Sequence, residues 1–402
     1  MQMIGTTFHH LYKLTGETLG EGSYGSVKAC RNIFTGVEYA AKIIEKIPGS
    51  FSRSKVLKEI EIYHICRGHR NIIQLIEFFE ETDKFVLVFE KVEGGSLLKH
   101  IQRKVSFTEA EASMIIKDVA EAIKHLHDKG VAHRDIKPDN ILCMNSNSPC
   151  TVKLCDFDLC SPVSIEVSTP PLLSPVGSLE YMAPEVADTF LFDEYCDEEE
   201  DISYTKKCDM WSLGIILYIL LSGYAPFSGT CGSSCGWESG EPCLHCQELL
   251  LSNIIQGDLQ ITGRQWDFIS GEAKDLIGRL LEKNSSRRLS AQQLLDHPWI
   301  INRGSDNTLC TPSHLKRQTN IQNLEDFAER AIAVNRALEE EDNLVKKFNA
   351  VSIDSQDRGG TNSAELSPTG SSNYKVQRGS KGVFPQFSSI DEIGSDFFMK
   401  NI

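Results

Sequence analysis

The chain has 402 residues and a formal net charge of −15, with 41% hydrophobic and 24% charged residues. That balance supports a large buried core split over two or three folding units and excludes the basic face of a nucleic-acid binder. No basic segment followed by an apolar run opens the sequence, and its longest apolar run, residues 213–221, is too short to span a bilayer.

From 12 to 47, polar and apolar residues alternate around glycines, which predicts strands and tight turns. Within this stretch GEGSYGSV, residues 20–27, fits G-x-G-x-x-G-x-V. Glycine there lets backbone amides approach a phosphate closely, although the pattern alone also describes a plain glycine-rich hairpin. YAAKII then carries Lys42 in a strand. Residues 52–66 switch to helical spacing, with Val56, Ile60, Tyr63 and Ile65 near one face. Two more strand-like runs, IIQLIEFFE and KFVLVFEKV, lead to Gly94 and Gly95.

Helical patterns dominate from Ser96. Thr108 with Glu111 three residues later is a capping box, and further helices are predicted near 210–222, 246–256, 271–283 and 290–296. Residues 193–201, DEYCDEEED, hold seven carboxylates in nine positions and read as a solvated loop or a docking strip for basic partners. After HPWII at 297–301, the spacing of Leu324, Phe327, Ala328, Ala331, Val334 and Leu338 predicts an amphipathic helix over 323–341 that packs back on the globular part. From 355 the composition turns to Ser, Gly, Asp and Asn, as in disordered chains. The resulting division is an extension at 1–12, a strand-rich lobe at 13–93, a helical lobe at 94–301 with an insertion at 229–247, an extension at 302–354 and a disordered tail at 355–402.

The most specific pattern is HRDIKPDN, residues 133–140, with Asp156 following sixteen residues after Asn140. A carboxylate, a lysine, an amide and a second carboxylate stand in the order that phosphoryl transfer needs. Residues 13–300 thereby resemble a eukaryotic protein kinase. The resemblance implies an α+β, two-lobed kinase fold with ATP and Mg2+ between the lobes. It implies that Asp135 accepts the substrate hydroxyl proton, Lys137 neutralises the moving phosphoryl group, and Asn140 and Asp156 hold magnesium. Lys42 would meet the ATP phosphates, paired with Glu59 or with its competitor Glu61. Leu19, Gly20, Glu21, Gly22, Ser23, Tyr24, Gly25, Ser26 and Val27 would cover the nucleotide. Phe89 falls at the gatekeeper position, and Glu90 to Val92 would form the hinge to adenine. Glu185 would pair with Arg288, and Asp209 would hold the catalytic loop. Lys137 together with Ser178 fits serine/threonine rather than tyrosine kinases.

Asp158 stands where most kinases have glycine, and the resulting DFD triplet resembles that of the MAP-kinase-interacting kinases. Cys231, Cys235, Cys243 and Cys246 agree with this. Their spacings of three, seven and two residues suit four thiolates around one structural Zn2+, with free thiols or a disulfide as alternatives. Most of the thirteen cysteines are expected to be reduced, in a cytoplasmic protein with the nucleus as a second compartment. Thr169 and Ser174, each followed by proline, are candidate phosphorylation sites for an upstream MAP kinase, with Arg134 as the cationic partner.

An aspartate at 158 adds a side chain at a hinge that often needs positive φ, at about 1 kcal/mol. The expectation is an active kinase with a restrained off-state. The resemblance further implies the cap-binding translation initiation factor as substrate. Docking to the scaffold of the cap-binding complex or to a MAP kinase is left open, because the sequence shows neither a basic N-terminal stretch nor an arginine-rich tail motif. KKFNAVSI at 346–353 is only a weak stand-in for the latter. Rival readings are a pseudokinase scaffold, a zinc-dependent interaction module and a calcium/calmodulin-dependent kinase relative. The acidic ALEEED stretch opposes the last, since a calmodulin target is basic. Neither a nucleic acid nor a membrane is expected as a partner.

Overall fold

The computed structural model describes residues 7–22, 25–47, 52–104, 106–162, 178–188, 205–232, 234–237, 243–304 and 309. The expected helix at 323–341, the tail, the acidic run at 193–201, Ser23, Tyr24, Thr169 and Ser174 lie outside them.

The alternating, glycine-punctuated start of the chain forms an antiparallel sheet of β1 (Tyr12–Gly22), β2 (Gly25–Asn32), β3 (Glu38–Glu45), β4 (Leu75–Glu80) and β5 (Lys84–Glu90), in the order β1-β2-β3-β5-β4. Among the described residues of this lobe one α-helix, α1 (Arg53–Ile65), accompanies it. β5 is apolar almost throughout because both of its faces are covered. Phe85, Leu87 and Phe89 turn to the main core with Val56, Ile60 and Tyr63 of α1, whereas Val86 and Val88 join Phe8, Tyr12 and Phe79 on the opposite face. Successive strand side chains point to opposite faces, so a continuous apolar run marks a doubly covered strand. One expected position differs: Ile65 at the last turn of α1 is 44% exposed, and Ile62 is buried instead.

The helical part comprises α2 (Leu97–Arg103), α3 (Glu109–Asp128), a hairpin of β7 (Ile141–Asn145) and β8 (Ser148–Leu154), α4 (Pro184–Asp188), α5 (Cys208–Ser222), α6 (Leu244–Gln256), α7 (Gly271–Leu280), α8 (Ala291–Leu295) and α9 (Pro298–Ile301), with a short pairing of β6 (Val131–Ala132) and β9 (Ser161–Pro162). α3 opens on the predicted capping box, in which Thr108 Oγ1 accepts from the Glu111 N–H and the Glu111 carboxylate accepts from the Thr108 N–H. Every residue of α5 is buried, which explains an apolar run with no polar face. This is the two-lobed protein kinase fold, a strand-rich lobe followed by a helical one. Among the described residues, no helix is long and apolar enough to cross a membrane.

Candidate active site

Lys42 lies mid-strand in β3, opposite Val27 on one side and Leu87 on the other, so its backbone is held by both neighbours. Its Nζ is 2.9 Å from Glu59 Oε1 and 2.8 Å from Asp156 Oδ1. The competitor is thereby resolved: Glu59 is buried on the inner face of α1, and Glu61 is exposed. Burial alone would lower the lysine pKa, but the Asp156 and Glu59 carboxylates outweigh it and hold the ammonium well above its ordinary range. The reverse holds for Asp156, where burial is outweighed by the Lys42 charge and hydrogen bond, so the carboxyl pKa is lowered.

The DFD triplet departs from expectation. Positive φ falls on Asp156 (66°), while Asp158 is not among the left-handed residues. The turn is made two residues earlier, where the Asp156 N–H donates to the Tyr63 hydroxyl at 3.0 Å. Phe157 then stacks on Tyr63 with ring centroids 4.5 Å apart and meets His133 edge-on at 5.4 Å. The cost of the unusual residue is therefore electrostatic, not conformational. Burial and the neighbouring Asp156 charge push the Asp158 carboxyl up to about 8, so the charged form of this side chain is disfavoured beside Asp156.

The catalytic loop is suspended from Asp209 at the start of α5. Its Oδ2 accepts the His133 N–H at 2.9 Å and its Oδ1 accepts the Arg134 N–H at 2.8 Å, while His127 Nε2 lies 2.8 Å from Oδ2. Burial of Asp209 opposes ionisation, but the hydrogen bond and charge of His127 outweigh it and lower the pKa. These contacts hold Arg134 at φ 69°, a conformation costly for a non-glycine residue. Directly after it, Asp135 is fully engaged. Oδ2 accepts from Asn140 Nδ2 at 2.9 Å and pairs with Lys137 Nζ at 3.1 Å, and Oδ1 accepts from the Ser178 N–H and Oγ at 3.1 and 3.0 Å. Lys137 Nζ also donates to Ser178 Oγ at 3.0 Å. The Asn140 amide nitrogen is spent on Asp135, so only its oxygen could serve a metal.

The glycine-rich turn joins β1 to β2 through Gly20 opposite Val27, Glu21 opposite Ser26 and Gly22 opposite Gly25. Gly25 has φ 153°, and a Cβ there would stand 1.8 Å from the Ile43 carbonyl oxygen, so strand packing itself demands glycine. Leu19 and Val27 are half-buried on the strands that carry this turn. At the end of β5, Phe89 is buried against Tyr63 with centroids 4.9 Å apart, and Val92 packs on the main core. The Glu90 side chain faces away from the hinge, toward Gln74 and Lys153, so Glu90 can offer the hinge only its backbone.

Residues 14–300 match the protein kinase domain family. The chain is 51% identical over 338 residues to MAP kinase-interacting serine/threonine-protein kinase 2 of Xenopus laevis, covering 83% of this chain and 71% of that protein. It is 47% identical over 347 residues to kinase 1 of the same group from Xenopus tropicalis, covering 85% and 81%. It is also 45% identical over 340 residues to the Caenorhabditis elegans kinase mnk-1, covering 82% and 47%. The chain belongs to the MAP kinase-interacting serine/threonine kinases. It is a serine/threonine protein kinase, and its kinase domain implies ATP and Mg2+.

Two further features of the kinase were expected from sequence. Arg288 is fully buried and grips Glu185 with a fork, at 2.6 and 2.8 Å. Cys231, Cys235, Cys243 and Cys246 converge so that their sulfurs all lie within 4.8 Å of one another. Cys235 Sγ is 3.5 Å from both Cys231 Sγ and Cys246 Sγ, and none of the four is in a disulfide. Sulfurs about 2.3 Å from one tetrahedral zinc stand about 3.8 Å apart, so this donor set fits the metal, and the separations exclude a disulfide. His245 is exposed and its ring lies 3.6 Å from Glu248, outside the sulfur set.

Sequence reasoning missed Tyr63 as the support of the DFD turn, His127 beneath Asp209, and the polar seam of Gln74 and Lys153. Tyr63 was legible only as a core position. The others become partners between separate elements, His127 with Asp209 across 82 residues and Glu90 with Lys153 across 63 and with Gln74 across 16, for which no local pattern exists.

Proposed function

We propose that this kinase transfers the γ-phosphoryl group of ATP to the cap-binding translation initiation factor after a MAP kinase phosphorylates its Thr169 and Ser174. Asp135 orients the acceptor hydroxyl and takes its proton as the new P–O bond forms and the bond to the β-phosphate oxygen breaks, releasing ADP. Lys137 offsets charge on the group in flight, and Lys42, set by Glu59, holds the phosphates that remain with ADP. Asn140 and Asp156 would hold Mg2+, which would supply positive charge against the triphosphate. The observation that carries the reading is the assembled set of Lys42, Glu59, Asp156, Asp135 and Asn140, whose contacts all lie between 2.8 and 2.9 Å. A pseudokinase would have no need to keep this set.

The relatives' printed names supply the MAP-kinase partner. The two Ser/Thr-Pro pairs are consistent with it, and Arg134, next to Asp135 in the catalytic loop, is the cation such a phosphate would meet. The four cysteines hold a structural Zn2+, with no coordination position left for catalysis. The test is phosphorylation of the purified initiation factor by wild type and by Asp135→Asn, before and after treatment with an activated MAP kinase. Transfer by treated wild type, and none by the variant, supports the proposal. Absence of transfer in every arm refutes it.

A further inference from the structure

Glu90 ends β5 and begins the chain linker between the lobes. Its N–H donates to the Gln74 carbonyl at 3.1 Å, and its Oε1 accepts the Gln74 N–H at 2.9 Å. The same Oε1 is 2.7 Å from Lys153 Nζ. Lys153 lies on β8, three residues before Asp156, with its side chain only 12% exposed against 26% for Glu90. Strand β8 is stitched to the segment before Gln74 by three more bonds. Asn71 Nδ2 donates to the Val152 carbonyl at 3.0 Å, the Leu154 N–H to the Asn71 carbonyl at 2.8 Å, and the Ile73 N–H to the Leu154 carbonyl at 3.0 Å. Beyond it the Cys155 N–H donates to the Asn140 carbonyl at 2.9 Å. A continuous polar seam thus runs from the linker to both magnesium-binding residues.

We infer that Lys153 and Glu90 are positioning residues: their ion pair ties the adenine-binding linker to the strand that presents Asp156, and so sets the span between the adenine site and the metal site. A nucleotide that reaches across that span, MgADP or MgATP, profits from a tether that holds both ends at the right separation. Adenosine touches only the linker end and gains nothing from it. The other ion pairs of the linker, Lys91 with Glu17 and Glu38, stay within the strand-rich lobe and cannot do this. The Lys153 side chain is only 12% exposed, so water screens the pair less than it would a surface ion pair.

The inference rests on the proposed assignment of the linker to adenine and of Asp156 to magnesium. The experiment measures MgADP and adenosine affinity by calorimetry for the wild type, Lys153→Met, Lys153→Arg, Glu90→Gln and the double variant Lys153→Met/Glu90→Gln. Lys153→Met and Glu90→Gln are each expected to weaken MgADP by about three- to tenfold and to leave adenosine within about twofold. Lys153→Arg restores MgADP binding, and the double variant loses no more than the worse single one, as coupled partners require. Equal losses for MgADP and adenosine, additive losses, or no loss at all overturn the tether. Should Lys153→Met fail to fold, Glu90→Gln, which keeps an acceptor for the Gln74 N–H, decides the matter alone. Wild-type protein that does not bind MgADP overturns the nucleotide assignment itself, a result distinct from an unchanged variant.

Discussion

Replacing Arg288 with lysine keeps the charge and much of the length, and it isolates what the guanidinium geometry contributes. The native side chain is fully buried. It forks onto Glu185, donates from Nε to the Glu282 carbonyl at 3.0 Å and from its terminal nitrogens to the Lys207 and Lys283 carbonyls at 3.0 and 3.2 Å, and lies 5.2 Å from the Trp211 ring centre. An ammonium has three donors radiating from one atom, so it cannot serve both carboxylate oxygens and three carbonyls at once. At least two acceptors lose their donor where water does not reach. At about 1–3 kcal/mol for each of two orphaned groups, the loss comes to roughly 2–6 kcal/mol, of the same order as the 3–5 kcal/mol expected when a buried pair loses one partner outright. Thermal unfolding followed by circular dichroism should show Tm lower by roughly 5–10 °C for Arg288→Lys. The larger drop belongs to Arg288→Met. A Tm for Arg288→Lys within about 1 °C of wild type would mean that charge alone holds α4, and the geometric argument would fail.

Removal of zinc by a strong chelator, or the change Cys243→Ser, is expected to abolish bound metal in elemental analysis and to lower the unfolding temperature, because the binding energy of the metal is part of the folding energy of so short an insertion. Wild-type protein purified without chelator and free of zinc would contradict the assignment. The rings of His69 and His125 stack with centroids 4.7 Å apart, and His125 Nε2 is buried without a hydrogen-bond partner. Burial first, with His125 acting on His69 and Lys129 on His125, lowers both pKa values below 6.5. The unfolded chain therefore binds these protons more readily, and stability should fall as pH drops through about 6.5 toward the lowered values. Urea midpoints compared at about pH 7.5 and 5.5 test this. His125→Gln should flatten the dependence, and an unchanged slope would assign it to other groups.

The local chemistry of the site was legible in the residues themselves. HRDIKPDN, the lysine of YAAKII and the four cysteines each carry their meaning in residue type and spacing, because a loop or strand of fixed length places them whatever surrounds it. The capping box of α3 and the helix boundaries near 210–222 and 246–256 were readable for the same reason: periodicity and caps act over a few residues. What required the tertiary structure were choices made between distant segments. Glu59 prevails over Glu61 because only one face of α1 meets β3, and the periodicity that put Ile65 on that face could not locate the helix end. The turn at Asp156 rather than Asp158 depends on Tyr63, 93 residues away, and the tie of Glu90 to Lys153 spans 63. Hydrogen bonds and ion pairs act over a few ångströms, whereas sequence records only order along the chain, so partners brought together by folding leave no mark in either segment read alone.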